Sequence, residues 1–118
     1  MLTSRVTIQK IVDNLTYTYG TSDPFRLCRY LGAIVVYVPL VRVNGFYQRY
    51  EDKDLIYINE DLTEEEQQLV CAHELGHLVL HNDINSIFLE STFFVVNKYE
   101  NEANTFAKYL ISKLYDGL

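Results

Sequence analysis

The chain has 118 residues, of which 48% are hydrophobic and 22% charged, a balance typical of one globular domain. Its net charge of -6 argues against nucleic acid or an anionic membrane surface as the main partner, since both are bound through basic residues. The N-terminus lacks the apolar core of a signal peptide, and the longest apolar run, 33–38, is far shorter than the roughly 20 residues of a membrane span. We therefore expect a single cytoplasmic domain over residues 1–118.

The first third of the chain predicts two helices. Apolar residues recur at helical spacing from Ile8 to Tyr19, and Gly20 is a natural stop. A short second helix is expected from Pro24 to Leu31, because proline suits the first helical position and the residues before it can cap.

The middle of the chain predicts a small antiparallel sheet with strands at 33–38, 46–50 and 55–59. These segments are rich in β-branched and aromatic residues. The dipeptide Asn44-Gly45 is a strong type I′ hairpin signal, and the polar residues 51–54 form a second turn.

The second half of the chain predicts two more helices. Thr63 and Glu66 form a capping box at the start of a helix over about 63–80. A loop follows at 82–86, residues 87–96 fit strand or helix, and a last helix runs from about 98 to 114. The order of elements predicts an α+β fold in which this sheet packs against the helices.

The sequence His73-Glu74-Leu75-Gly76-His77 is an HExxH motif within the third predicted helix. Residues four apart lie on the same helix face, so both imidazoles can bind one metal ion. Zinc takes imidazole ligands in a tetrahedral set, and a catalytic zinc leaves one position for water. Glu74 then stands where it can accept that water's proton. Surface or core histidines with other partners are the alternative interpretation.

A third protein ligand is expected from the last helix, where Glu100 and Glu102 compete. On a helical wheel, Glu100 lies at the edge of the apolar stripe, whereas Glu102 points to solvent. Because a carboxylate at the edge of the core needs a partner or a metal, we favour Glu100. Asn104, one turn further on, is placed to support the site from behind the ligands. His81 is a weaker ligand candidate because the helix twist carries it away from His73.

The motif HELGH followed by ENEANTFA resembles the ImmA/IrrE family of zinc metallopeptidases. The resemblance covers about residues 63–111 and implies that His73, His77 and Glu100 bind Zn2+ and that Glu74 is the catalytic base. Members are encoded by phages, mobile elements and bacteria and act on repressor-type transcription regulators. Where many members have LLMP, this chain has Tyr109-Leu110-Ile111-Ser112. Its length leaves no room for the helix-turn-helix domain that some members add.

These observations predict a zinc endopeptidase that cleaves a protein substrate, by resemblance a helix-turn-helix repressor of a phage or mobile element. The alternative is a regulatory module that keeps the zinc site but grips a repressor without cutting it. The intact Glu74 weighs against that alternative, since a pure binder needs no base. We expect the substrate to pair with an exposed sheet edge, and we favour the strand at 46–50.

Overall fold

The fold is taken from a computed structural model, and the structure describes residues 4–81 and 93–116. Within these ranges the helices are α1 (Arg5–Tyr19), α2 (Pro24–Tyr30), α3 (Glu64–His81) and α4 (Phe93–Asp116). The strands are β1 (Ile34–Val38), β2 (Gly45–Tyr50) and β3 (Lys53–Asn59). The predicted α+β class is confirmed. No helix in these two ranges is long and apolar enough to cross a membrane.

The helix boundaries follow local capping chemistry. Asp23 caps α2 by accepting a hydrogen bond from the Phe25 N–H at 2.9 Å. The expected capping box of α3 is present, since the Thr63 N–H donates to Glu66 Oε1 at 3.0 Å and the Glu66 N–H donates to Thr63 Oγ1 at 3.2 Å. Gly20 ends α1 in the left-handed conformation, with φ of 68°.

The last helix is longer than predicted. It begins at Phe93 rather than near Lys98, so the end of the segment that fitted strand or helix is helical. The predicted loop at 82–86 and residues 87–92 of that segment lie outside the described residues.

The sheet is mixed, which corrects the prediction of an antiparallel sheet. Its strand order is β1-β3-β2; β1 pairs with β3 in parallel and β2 pairs with β3 antiparallel. After β1 the chain passes to the far edge, and β3 then returns into the middle. Ile56 and Ile58 are fully buried on β3, so the central position goes to the strand with the most completely buried alternating side chains.

The hairpin prediction at Asn44-Gly45 is wrong. Gly45 is the first residue of β2, and a Cβ there would lie 2.5 Å from Val70 Cγ1 and 2.6 Å from the Tyr57 carbonyl oxygen. Glycine is therefore needed for close packing against α3 and β3 rather than for a turn. The reversal falls within the predicted polar turn, at Glu51 and Asp52, which both have positive φ (48° and 65°), as a type I′ turn requires.

The core lies between the sheet and the helices. Fully buried side chains from each layer meet there: Val12 of α1, Leu27 and Cys28 of α2, Ile56 and Ile58 of β3, Cys71 and Leu75 of α3, and Phe106 and Leu110 of α4. Cys28 and Cys71 are free, fully buried thiols with their Sγ atoms 3.6 Å apart. One side of α3 therefore packs into the core, and its polar side chains occupy another side of the helix.

Helices α3 and α4 are in close contact at Gly76. A Cβ on Gly76 would lie 3.2 Å from the Ala103 Cα atom and 3.2 Å from Phe106 Cβ. Phe106 is fully buried and Ala103 Cα is a backbone atom, so neither can move aside freely. The missing side chain therefore sets the spacing between the two helices that carry the polar residues described below.

We predict that Gly76→Ala lowers the melting temperature. Alanine favours a helix interior by about 1 kcal/mol over glycine, but overpacking a filled core typically costs about 1–3 kcal/mol. Asn101→Ala, at an exposed position of α4, is the control because it changes helix propensity without crowding the core. A melting temperature for Gly76→Ala equal to or above that of the unmodified chain would contradict the close-packing argument.

Candidate metal and catalytic site

The HExxH residues converge on one side of α3. The rings of His73 and His77 lie edge to face with centroids 4.9 Å apart. Ligand atoms of His73, Glu74 and His77 all fall within 4.8 Å of one another. Glu74 and His77 are buried, whereas His73 is partly exposed. One face of a single helix thus presents two imidazoles and a carboxylate to a common point.

Glu100 of α4 reaches across to both imidazoles. Its Oε2 lies 3.0 Å from His73 Nε2, and its Oε1 lies 2.8 Å from His77 Nε2. Its side chain is 47% exposed, as fits the predicted position at the edge of the apolar stripe. The structure therefore brings together the two histidines and the glutamate selected from the sequence, with both Nε2 atoms facing one carboxylate.

The electrostatics of this cluster favour charge on Glu100 and oppose it on Glu74. Hydrogen bonds from His73 and His77 hold the pKa of Glu100 well below its usual range. Burial raises the pKa of Glu74, against the lowering effect of the nearby histidines. Burial acts to lower the pKa of His73, but the hydrogen bond and charge of Glu100, with the charge of Glu74, outweigh it and leave the pKa raised. The pKa values of two carboxylates in one cluster are therefore shifted in opposite directions.

A cavity of about 530 Å³ opens beside these groups. His73 and Glu74 form part of its wall, and the sequence-predicted Asn104 lies there as well, on α4. Asn104 is also a hydrogen-bond partner of His73. The remaining wall comes from the start of β2 and the facing sides of α3 and α4: Asn44, Gly45, Leu69, Val70, Ala107 and Lys108. A reactant in this cavity would meet Glu74 directly.

The prediction that Glu102 points to solvent is wrong. Glu102 is only 7% exposed, and its Oε1 lies 2.9 Å from His81 Nε2. The helical wheel assumed that α4 buries a single apolar stripe. In the structure, the end of α3 also covers a second flank of α4. His81 itself is 3% exposed, and its Nδ1 lies 2.9 Å from Nδ1 of His77. The sequence carried a signal for the contact between His81 and Glu102. His81 follows His77 by four residues on α3, and α4 offers a second glutamate besides Glu100.

The donor set fits a zinc ion. Zinc binds imidazole nitrogen and carboxylate oxygen, and a catalytic site typically has three protein ligands with one open position. The Nε2 atoms of His73 and His77 face the two oxygens of Glu100, which supplies this set from two rigid helices. Glu74 belongs to the same cluster, with its Oε2 4.0 Å from His73 Nε2.

Two known proteins are similar in sequence to most of this chain. The uncharacterized immunity region protein 2 of Bacillus phage phi105 is 42% identical over 106 residues, covering 88% of this chain and 67% of the relative. The metallopeptidase ImmA of Bacillus subtilis (strain 168) is 36% identical over 113 residues, covering 88% of this chain and 62% of the relative. The chain thus spans about two thirds of the length of these relatives.

The family comparison covers the whole cluster. Residues 28–112 match the family model Peptidase_M78, described as the IrrE N-terminal-like domain. This range holds every residue of the cluster, from His73 on α3 to Asn104 on α4. The chain belongs to the Peptidase_M78 family of IrrE N-terminal-like domains.

Proposed function

We propose that the chain is a zinc-dependent endopeptidase in which His73, His77 and Glu100 hold the metal and Glu74 is the catalytic base. The observation that carries this proposal is the convergence of both Nε2 atoms on the Glu100 carboxylate, with Glu74 beside them in the wall of a cavity. The family match and the metallopeptidase ImmA among the relatives support the same chemistry.

The four residues divide the work between binding and proton transfer. Zinc, when bound, lowers the pKa of a water in its open position and polarises the substrate carbonyl. Glu74 accepts a proton from the attacking water and then gives it to the leaving nitrogen. The peptide bond therefore breaks to release a neutral amine rather than an unstable amide anion. Because burial raises the pKa of Glu74, its carboxylate is a stronger base than an exposed glutamate. Asn104 keeps His73 oriented through their hydrogen bond.

The substrate backbone can be held by the outer edge of β2, which has no strand beside it within residues 4–81 and 93–116. This strand is at the edge of the sheet, and its first residue, Gly45, lines the cavity together with His73 and Glu74. An extended peptide added to such an edge is fixed by main-chain hydrogen bonds.

The register of the hairpin decides which backbone N–H groups of β2 point away from β3. The Asn59 N–H donates to the Asn44 carbonyl at 2.8 Å, so hydrogen-bonded pairs recur at every second residue along β2. The amide of Gln48, opposite Leu55, therefore points into the sheet. The amides of Gly45 and Tyr47 point outward, so Tyr47 is a suitable position for testing this edge.

We further propose a cytoplasmic protein substrate, specifically a repressor-type transcription regulator as the family resemblance implies. The relative from phage phi105, named for an immunity region, is consistent with a regulator of that kind. The net charge of -6 favours a protein partner over nucleic acid. The adjacent free thiols of Cys28 and Cys71 are suited to a reducing compartment.

Paired glutamine substitutions separate metal binding from catalysis. We expect the unmodified chain to hold about one zinc per molecule and Glu100→Gln to lose it, as His73→Ala and His77→Ala also should. Glu74→Gln should keep its zinc and yet cleave a helix-turn-helix repressor, or an unfolded protein, at least about 100-fold more slowly. Metal analysis and gel-based cleavage measure the two properties.

The control is Glu65→Gln, an exposed residue of α3, which should change neither property. Asn104→Ala should weaken zinc affinity by about 10- to 100-fold. Full zinc content in Glu100→Gln would remove Glu100 from the ligand set. Zinc retention together with unchanged regulation of the repressor by Glu74→Gln would favour the non-cleaving binding module.

A second pair of variants tests the sheet edge. Tyr47→Pro and Tyr47→Ala both lose the hydrogen bond from the Tyr47 hydroxyl to Asp54, but only proline loses the outward N–H. We expect Tyr47→Pro to cleave protein at least about tenfold more slowly than Tyr47→Ala, with the same zinc content and a similar melting temperature. Equal cleavage rates in the two folded variants would exclude this edge as the docking strand.

A further inference from the structure

A buried chain of polar groups runs from His77 away from the cavity. Nδ1 of His77 lies 2.9 Å from Nδ1 of His81, and Nε2 of His81 lies 2.9 Å from Oε1 of Glu102. His81 and Glu102 are 3% and 7% exposed. The ring of Tyr99 packs against that of His81 with centroids 4.4 Å apart. These hydrogen bonds therefore connect a metal-binding candidate with a buried carboxylate.

The donor and acceptor of each hydrogen bond in this series follow from the chemistry of the groups. With Glu102 ionised, its carboxylate only accepts hydrogen bonds, and the short contact then places a proton on Nε2 of His81. A neutral imidazole has one donor and one acceptor, which leaves Nδ1 of His81 as an acceptor. The facing Nδ1 of His77 must then carry a proton, because two acceptors at 2.9 Å would repel each other.

The same reasoning fixes the other nitrogen of His77. With its proton on Nδ1, a neutral His77 has a bare lone pair on Nε2, so a hydrogen bond from this atom to Glu100 Oε1, 2.8 Å away, needs a second proton on the ring. A lone pair and a carboxylate oxygen both seek a cation, so this contact is favourable only with a positive charge between or on these groups. A metal ion bound by both atoms meets that need.

We propose that His81 and Glu102 are positioning residues that set the tautomer and ring orientation of His77, so that its Nε2 lone pair faces the metal. This inference rests on the proposed zinc site and extends it by two buried residues. Hydrogen bonds of this kind commonly tune metal ligands, with effects of about 10- to 100-fold in metal affinity. Here the carboxylate acts through an intervening histidine, and both helices contribute: His81 ends α3, and Glu102 comes from α4.

The competing explanation is a buried polar pair that only stabilises the contact between α3 and α4. Both explanations predict some loss of stability when His81 or Glu102 is replaced. Only the positioning role predicts a changed protonation pattern in His77 and recovery by a side chain that restores the acceptor.

The test combines imidazole nitrogen NMR with zinc affinity. Long-range proton–nitrogen spectra of the zinc-loaded chain should show His81 protonated on Nε2 and His77 protonated on Nδ1. His81→Phe, which removes the acceptor, should weaken zinc affinity by about 10- to 100-fold in a chelator competition. His81→Gln, whose amide can accept from His77 and donate to Glu102, should recover most of that loss.

Glu102→Met provides a second variant should His81→Phe not fold. It should abolish the preference of His81 for the Nε2 proton and weaken zinc binding, whereas Glu65→Met, which removes an exposed carboxylate from α3, should do neither. Unchanged zinc affinity and unchanged His77 nitrogen signals in folded His81→Phe or Glu102→Met would overturn the positioning role while leaving the zinc site intact.

The proposed function has its own, separate failure. If the unmodified chain binds no zinc, the proposed function fails. Spectra of the metal-free chain still test the hydrogen bonds from His77 through His81 to Glu102. His81 protonated on Nδ1 there would overturn the positioning role.

Discussion

The close approach of α3 and α4 at Gly76 is the constraint on which the rest of the structure depends. Gly76 has no side chain where a Cβ would meet the backbone of Ala103 and the ring of Phe106. At this spacing the side chains of one helix can touch those of the other directly. Glu100 reaches both imidazoles of the HExxH motif, and Glu102 reaches His81, without a loop to position either carboxylate.

The polar contacts across this helix pair differ in exposure, and that difference suggests a division of tasks. Near the cavity, Glu100 is half exposed and faces His73 and His77. Behind His77, His81 and Glu102 are almost completely buried. A metal and a substrate need access to the first group, whereas a group that holds a ligand in one orientation works best where water cannot compete. One helix pair thereby combines an accessible polar cluster with a buried one.

Local signals were sufficient to predict the helices and much of the candidate site. The Thr63–Glu66 capping box, the left-handed Gly20 and the HExxH spacing depend only on residues close in sequence, and each has the expected geometry. Glu100 could also be selected, because its place at the edge of an apolar stripe is a property of one helix.

The features that the sequence did not predict depend on distant contacts. Asn44-Gly45 has the composition of a turn, but Gly45 is required by Val70 and Tyr57, which no local pattern reveals. The parallel pairing of β1 with β3 depends on which strand takes the centre of the sheet. Glu102 is buried because the end of α3 packs over a flank of α4 that a single helical wheel assigns to solvent.

X-ray absorption at the zinc edge of the purified, zinc-loaded chain would show whether both motif histidines and Glu100 hold one zinc ion. We expect a four-coordinate site with two imidazole nitrogens at about 2.0–2.1 Å and the remaining ligands oxygen at about 2.0–2.2 Å. A spectrum with sulfur at about 2.3 Å, which would implicate Cys28 or Cys71, or one without imidazole scattering, would contradict it.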